Sequence, residues 1–373
     1  MAAAAAEGRG PSVLTRIYLG RGIGPGQGRT DDPAVPDRHV QLSLLGATAA
    51  ALLVAATVLL AQSGAPPPAP VPRLADGRPD FNGVWTFATL TPLERPAEMA
   101  GKATLTEQEA AAIEKRTLDV QNRDRRDGDG ADGRGSDGRT DLDRAYNQFW
   151  WDYGTKVVGT RRTSLIVDPP DGRIPPLLPD AARRQAERAA VESGTPNGPE
   201  DRPLRERCLN ILTAGPPMLP GPYNNNVQMF QTPALVAIHS EMIHDTRLVP
   251  IGGPPHLPSR IRQWLGDARA RWDGDTLVVE TANFTGKTAF RGSSASLHLV
   301  ERFTRVSAET LLYEFTVTDP SAWAKSWSVA LPMTKTADKI YEYACHEGNV
   351  GLLAILAGAR AQERDLRPSR GVH

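Results

Sequence analysis

From Val227 onward, apolar and polar residues alternate with a period of two, the spacing that puts successive side chains on opposite faces of a β-strand. Leu311, Tyr313, Phe315 and Val317 share one face of such a strand, and Glu314 and Thr316 share the other. The pattern predicts strands over Val227 to Phe230, Leu235 to His239 and Met242 to Val249, with a turn around Ser240 to Asp245. Arg269 to Trp272 and Thr276 to Thr281 flank Asp273-Gly274-Asp275, a three-residue hairpin loop whose glycine can take a positive φ. His298 to Val306 and Thr310 to Val317 form a second hairpin around Ser307-Ala308-Glu309, and Trp327 to Leu331 with Ile340 to Cys345 a third. Hairpins in succession predict a mainly β fold. It is an antiparallel meander closing to a lipocalin-like barrel or coiled sheet, with a few short helices and long loops. Closure also removes the unpaired edges of an open sheet.

The N-terminal half is less regular. Pro79 to Thr86 reads as a short entering strand, and Arg161 to Asp168 as a strand stopped by Pro169-Pro170. Thr106 with Glu109 is a capping box that opens a helix through about Thr117. Asp180 caps a short helix ending before Gly194, and another helix runs from about Val350 to Arg360.

An apolar run changes the picture of where the chain resides. Leu42 to Leu60 are 19 residues without a charge, long enough to cross a bilayer as a helix. Small residues at Ala61 and Ser63 suit signal-peptidase cleavage, so removal and retention both stay open. The organisation that follows is a disordered leader over 1–40, a signal anchor or transmembrane helix over 41–62 and a Pro-rich linker over 63–78. A single soluble β-rich domain over 79–363 comes next, and a loose tail over 364–373 ends the chain. Within the domain, 122–144 holds six Arg, seven Asp and five Gly with almost no apolar residue, which predicts a mobile, solvated loop. Its Asp127-Gly-Asp129 run lacks the third acidic ligand and the glycine of an EF-hand. The two cysteines, Cys208 and Cys345, pair most simply as a disulfide in an oxidising compartment, with two buried thiols as the alternative.

Composition narrows the function classes. Lys+Arg and Asp+Glu both number 43, so no net field favours nucleic acid, and 34 Gly with 32 Pro imply many turns. No Walker loop, strand-borne GxGxxG, GxSxG elbow or CxxC pair occurs. Most nucleotide enzymes, α/β serine hydrolases and thiol redox proteins are thereby excluded.

Candidate chemistry gathers in a few strings. His239, Glu241, His244 and Asp245 offer two imidazoles and two carboxylates, able to hold Zn²⁺ or Fe²⁺ or to act as a general acid/base pair. His244 joins His239 only if a turn or bulge intervenes. His346 and Glu347 follow Cys345, so a disulfide would position them; alternatively Glu347 caps the next helix. Asn224, Asn225 and Asn226 supply amides for a ligand's polar groups or for a turn. Trp264 and Trp272, with Trp323 and Trp327, can line an apolar pocket or fill the core. Arg291-Gly292-Ser293-Ser294 can take an anion through backbone N–H groups and the guanidinium. His298 and Glu301 have opposite parity in one strand, which sets them on opposite faces.

By Tyr223–Asn226 (YNNN), Met242–Asp245 (MIHD), His256–Gly266 (HLPSRIRQWLG), Asp273–Phe284 (DGDTLVVETANF) and Tyr341–Asn349 (YEYACHEGN), the chain resembles a family of exported hypothetical proteins abundant in Acidobacteria and Proteobacteria. The resemblance spans about Pro72 to Glu363 and implies export and one domain, with no activity attached. The long leader departs from the family's usual short one. The expectation is therefore an exported, periplasmic or membrane-anchored β-barrel protein, held to the membrane through residues 42–60, that binds a small, partly apolar ligand and needs no cofactor. The rival is an envelope enzyme using His239, His244 and His346 with Glu241, Asp245 or Glu347 for metal-assisted hydrolysis or proton transfer, and a third reading is a structural envelope protein.

Overall fold

Ten strands join in a single antiparallel sheet in the computed structural model, which describes residues 70–122, 124, 148–211 and 213–366. They are β1 (Gly83–Thr86), β2 (Ile166–Asp168), β3 (Asn226–Gln231), β4 (Leu235–Ser240), β5 (Thr246–Pro250), β6 (Asp267–Asp273), β7 (Thr276–Ala282), β8 (His298–Arg305), β9 (Thr310–Thr318) and β10 (Trp327–Thr336). The order is β5-β4-β3-β1-β10-β9-β8-β7-β6, with β2 also paired to β10. Two meanders are visible in that order, β3 to β5 and β6 to β10. They do not pair with each other directly: β1 lies between them, Val84 opposite Thr336 on one side and Gln228 on the other. Pairing does not continue round from β5 to β6. These end strands meet at one isolated parallel bridge, Ile251 with Ala270, where Gly252 N–H donates to Ala270 O at 2.9 Å.

One face of the sheet is the core. Burial alternates residue by residue along β8, β9 and β10, as period-two patterning requires. The enclosed side is filled by Trp85, Trp327, Tyr313, Phe303 and Phe315, with Met229, Val279 and Leu299 around them, all at most 1% exposed. Aromatic rings pack in contact, Phe303 to Tyr313 at 4.9 Å and Phe315 to Trp327 at 6.1 Å between centroids. On the other face, hydroxyl pairs cross the strands, Thr276 with Thr304 at 2.7 Å and Thr316 with Ser328 at 2.8 Å.

Three α-helices flank the sheet: α1 (Glu107–Gln121), α2 (Pro179–Ser193) and α3 (Val350–Leu366). The capping box at Thr106 and Glu109 is present, and α1 runs one turn beyond the expected end. The N-cap of α2 is Leu178 rather than Asp180, because Pro179 at the first helical position starts the helix and leaves Asp180 in its first turn. Helix α3 continues past Arg360 into the stretch expected to be a loose tail, up to Leu366.

Several expected strands differ, each for a local reason. Met242 to Val249 is not one strand: Ile243 and His244 sit at φ 65° and 60°, in a turn, and β5 begins at Thr246. Arg161 to Asp168 is a strand only over its last three residues, since Arg161 is at φ 54° and Leu165 N–H bonds to Pro92 O. Ile340 to Cys345 forms no strand; β10 already has β9 along one edge and β2 and β1 along the other. The β6–β7 loop has two residues, not three: Asp273 pairs with Thr276, and Gly274 takes φ 59°. The end of the expected linker belongs to the domain, since Arg73 is hydrogen-bonded to Asp275 at 2.9 and 2.5 Å and Arg78 reaches Gly274 O at 3.1 Å.

No helix among the described residues is long and apolar enough to cross a membrane. Residues 42–60, the leader, most of 122–144 and 367–373 lie outside the described residues. Cys208 and Cys345 form a disulfide with Cα atoms 5.7 Å apart.

Candidate functional site

Buried side chains fill the inner face of the sheet, and the larger of two cavities lies outside it. The larger, of 390 Å³, is an open cleft whose apolar walls are Leu90, Pro92 and Leu93 after β1, Leu165 before β2, and Leu219 to Pro222 before β3. Thr117 and Gln121 from the last turns of α1, together with Tyr153 and Arg291, complete it. Local hydrogen bonds explain why these distant segments converge. Leu90 N–H donates to Lys156 O and Ile166 N–H to Leu93 O, so the loop after β1 lies against the chain leading into β2. Asn225, wholly buried, accepts from Gly221 N–H at 2.7 Å and donates to Gly221 O at 3.0 Å and Asp152 O at 2.5 Å.

Asn225 was a candidate for ligand contact, but its amide is occupied by backbone and acts by shaping the cleft wall. Asn226 donates to Glu241 Oε2 at 2.9 Å, and Asn224 holds a turn at φ 55°. Arg291 does line the cleft. The backbone N–H groups beside it do not serve an anion: those of Gly292, Ser293 and Ser294 donate to Ala289 O, Phe290 O and Asp319 Oδ2. The indoles are not there either. Trp323 and Trp327 are core, Trp272 stacks on Phe81 at 5.6 Å beneath the Arg78 guanidinium, and Trp264 O accepts from Thr288.

A second cavity, of 270 Å³, opens in the seam between the sheet's ends, lined by Thr246 to Leu248 of β5 and by Gln263 and Leu265 to Arg269 beside and within β6. The turn at Ile243 and His244 does bring the two imidazoles together, with ring centroids 4.5 Å apart and edge to face. His239 Nδ1 is 2.8 Å from Thr246 Oγ1. Burial, reinforced by the charge of His244, lowers the pKa of His239 from 6.5. The carboxylates turn to other work. Glu241 is buried against Asn226, and Asp245 accepts from Thr246 N–H at 2.8 Å. His346 and Glu347 are exposed on the segment after Thr336, and Asn349, not Glu347, caps α3 through its bond from Leu352 N–H. Among the described residues no group of three or more His, Cys, Asp or Glu side chains is arranged to hold a metal ion.

Two constellations escaped the sequence reading. At the seam, buried Asp267 accepts from His256 Nδ1 at 3.0 Å, Leu257 N–H at 2.8 Å and Arg269 at 2.7 Å. Ten residues of irregular chain separate His256 from Asp267, so no periodicity announces the pair. Inside the sheet, Arg247 forms a two-point pair with Glu301 at 3.0 and 2.5 Å, and Tyr313 donates to Glu301 at 2.8 Å. Here parity was a signal. Glu301 shares the face of Leu299 and Phe303, and Arg247 that of Val249; His298, of opposite parity, indeed stays outside.

Comparison with family models, curated proteins and solved structures gave no match to this chain.

Proposed function

We propose that the protein is an exported or membrane-tethered binding protein that takes a small, partly apolar molecule into the 390 Å³ cleft outside the sheet. The carrying observation is the contrast between an interior filled by its own aromatic side chains and a cleft with Leu90, Leu93, Leu165 and Leu219 in its walls. In this reading the sheet is a lipocalin-like scaffold, brought near closure by the bridge at Ile251 and Ala270, that positions loops rather than a lumen. The Cys208–Cys345 disulfide supports an oxidising, extracytoplasmic location.

The test is fluorescence titration with the neutral apolar dye N-phenylnaphthylamine. Enhancement by the wild type and its loss in Thr117→Trp, a half-exposed wall position, is the expected result. Enhancement that survives the substitution removes the cleft as the site. The pairing of His256 with buried Asp267 favours a second reading, proton transfer at the seam, since a carboxylate that orients an imidazole is the usual support of a general base. Esterase assays with nitrophenyl acyl esters in which His256→Gln matches the wild type would eliminate it.

A further inference from the structure

We infer that the occupant of the 390 Å³ cleft is an apolar carboxylic acid that also carries a hydroxyl or amide N–H donor. The inference rests on the binding reading above and narrows it to a ligand class. The polar inventory of the cleft is short. Thr89 Oγ1 donates to Lys156 O at 3.1 Å, and Thr91 Oγ1 accepts from Val158 N–H at 3.0 Å, so both hydroxyls serve the backbone. Besides Thr117 and Tyr153, the polar side chains left are Arg291 and Gln121. Arg291 makes no ion pair or hydrogen bond among the described residues, whereas the arginines before and after it in sequence, Arg271 and Arg302, are paired with Glu280 and Asp273. Gln121 Oε1 is buried and also lacks a hydrogen-bond partner, a state that a ligand donor relieves.

Charge points the same way. No acidic side chain is among the lining residues, so the cleft presents one cation and nothing to balance it. That cation stands on a rigid support. Ala289 and Arg291 take φ 44° and 53°, a region non-glycine residues seldom adopt. The turn is held by Gly292 N–H to Ala289 O at 3.2 Å and Ser293 N–H to Phe290 O at 2.9 Å, while the Phe290 ring stacks on core Trp327 at 6.0 Å. Strained backbone held by its surroundings is a recurrent feature of ligand clamps. A guanidinium set at the edge of an apolar cleft is suited to a carboxylate, and the leucine walls to an aliphatic chain.

Calorimetric titration of the full-length protein in lipid nanodiscs with octanoate, octanol, β-hydroxyoctanoate and ω-hydroxyoctanoate tests the inference, the difference between wild type and variant isolating the cleft from the bilayer. Octanoate is expected to bind the wild type ~10-fold tighter than octanol. Arg291→Gln is expected to reduce octanoate to the affinity of octanol and to leave octanol unchanged. One of the two hydroxy acids is expected to exceed octanoate by about threefold, a gain that Gln121→Met removes. Equal binding of octanoate and octanol, or an acid preference that persists in Arg291→Gln, overturns the anion assignment while the cleft stands. Hydroxy acids no tighter than octanoate overturn the donor assignment. Failure of octanol and octanoate alike to bind, with Thr117→Trp indistinguishable from wild type, defeats the binding reading itself.

Discussion

Arg247, Glu301 and Tyr313 place two formal charges and a phenol on an inner face that is mostly apolar, with Ser240, Thr281 and Arg305 as its other buried polar members. Burial pulls the Arg247 guanidinium down, but the charge and hydrogen bonds of Glu301 outweigh it, so its pKa ends above the ordinary value. Burial, with the Glu301 charge, pushes the Tyr313 phenol well above 10.0. Removing one member strands the other. Glu301→Ala should therefore cost about 3–5 kcal/mol in urea unfolding, and Arg247→Met/Glu301→Leu should recover most of it; a single-variant cost under about 1 kcal/mol would mean water reaches the pair. At His239 the lowered pKa means that the unfolded chain takes up a proton first as pH falls. Stability from this group is thus complete above about 6.5 and declines as pH drops from there toward the folded-state value. The melting temperature should fall between pH 7.5 and 5.5, and less so in His239→Gln.

At the scale of elements, α1 shows how a local motif serves a distant wall. Glu109 N–H donates to Thr106 Oγ1 at 3.2 Å and Thr106 N–H to Glu109 Oε2 at 2.9 Å. The Lys102 ammonium, followed by the Thr106 bonds, lowers the Glu109 carboxyl to about 2. Thr106→Ala should cost about 1 kcal/mol, seen as faster amide exchange over the first turn of α1. Because Thr117 and Gln121 sit at the other end of this helix, octanoate affinity is the second readout. The capping box was legible because it spans four residues; that α1 ends beside Leu219 and Arg291 was not, since those contacts cross about 100 to 170 residues of chain. The strands behaved alike. Parity along β8 and β9 could be read directly, and so could a turn between Ser240 and Asp245; that Ile243 and His244 take the left-handed region, which such residues seldom adopt, could not.

Across the whole molecule, two long-range ties matter. Strand β1 joins the meanders β3 to β5 and β6 to β10, although it precedes both by well over a hundred residues. The disulfide closes a separation of 137 residues and fastens the irregular segment before α3 to the chain around Cys208. Cys345→Ser is expected to lower stability by about 2–5 kcal/mol through greater freedom of the unfolded chain. Denaturant titrations of wild type with and without dithiothreitol should reproduce that gap; coincident curves would show that the bond does little.

The sequence alone determined what depends on neighbours along the chain: the period-two faces of the strands, the cap of α1 and the class of mainly antiparallel β structure. It also supplied the two cysteines, whose pairing needed no competing partner. Only the tertiary structure decided which strands are adjacent, that the sheet's ends meet at a single bridge, and that side chains fill its interior while loops outside form the cleft. Those outcomes come from packing and hydrogen bonding between segments far apart in sequence, and local alternation carries no information about which partner a strand or loop will find.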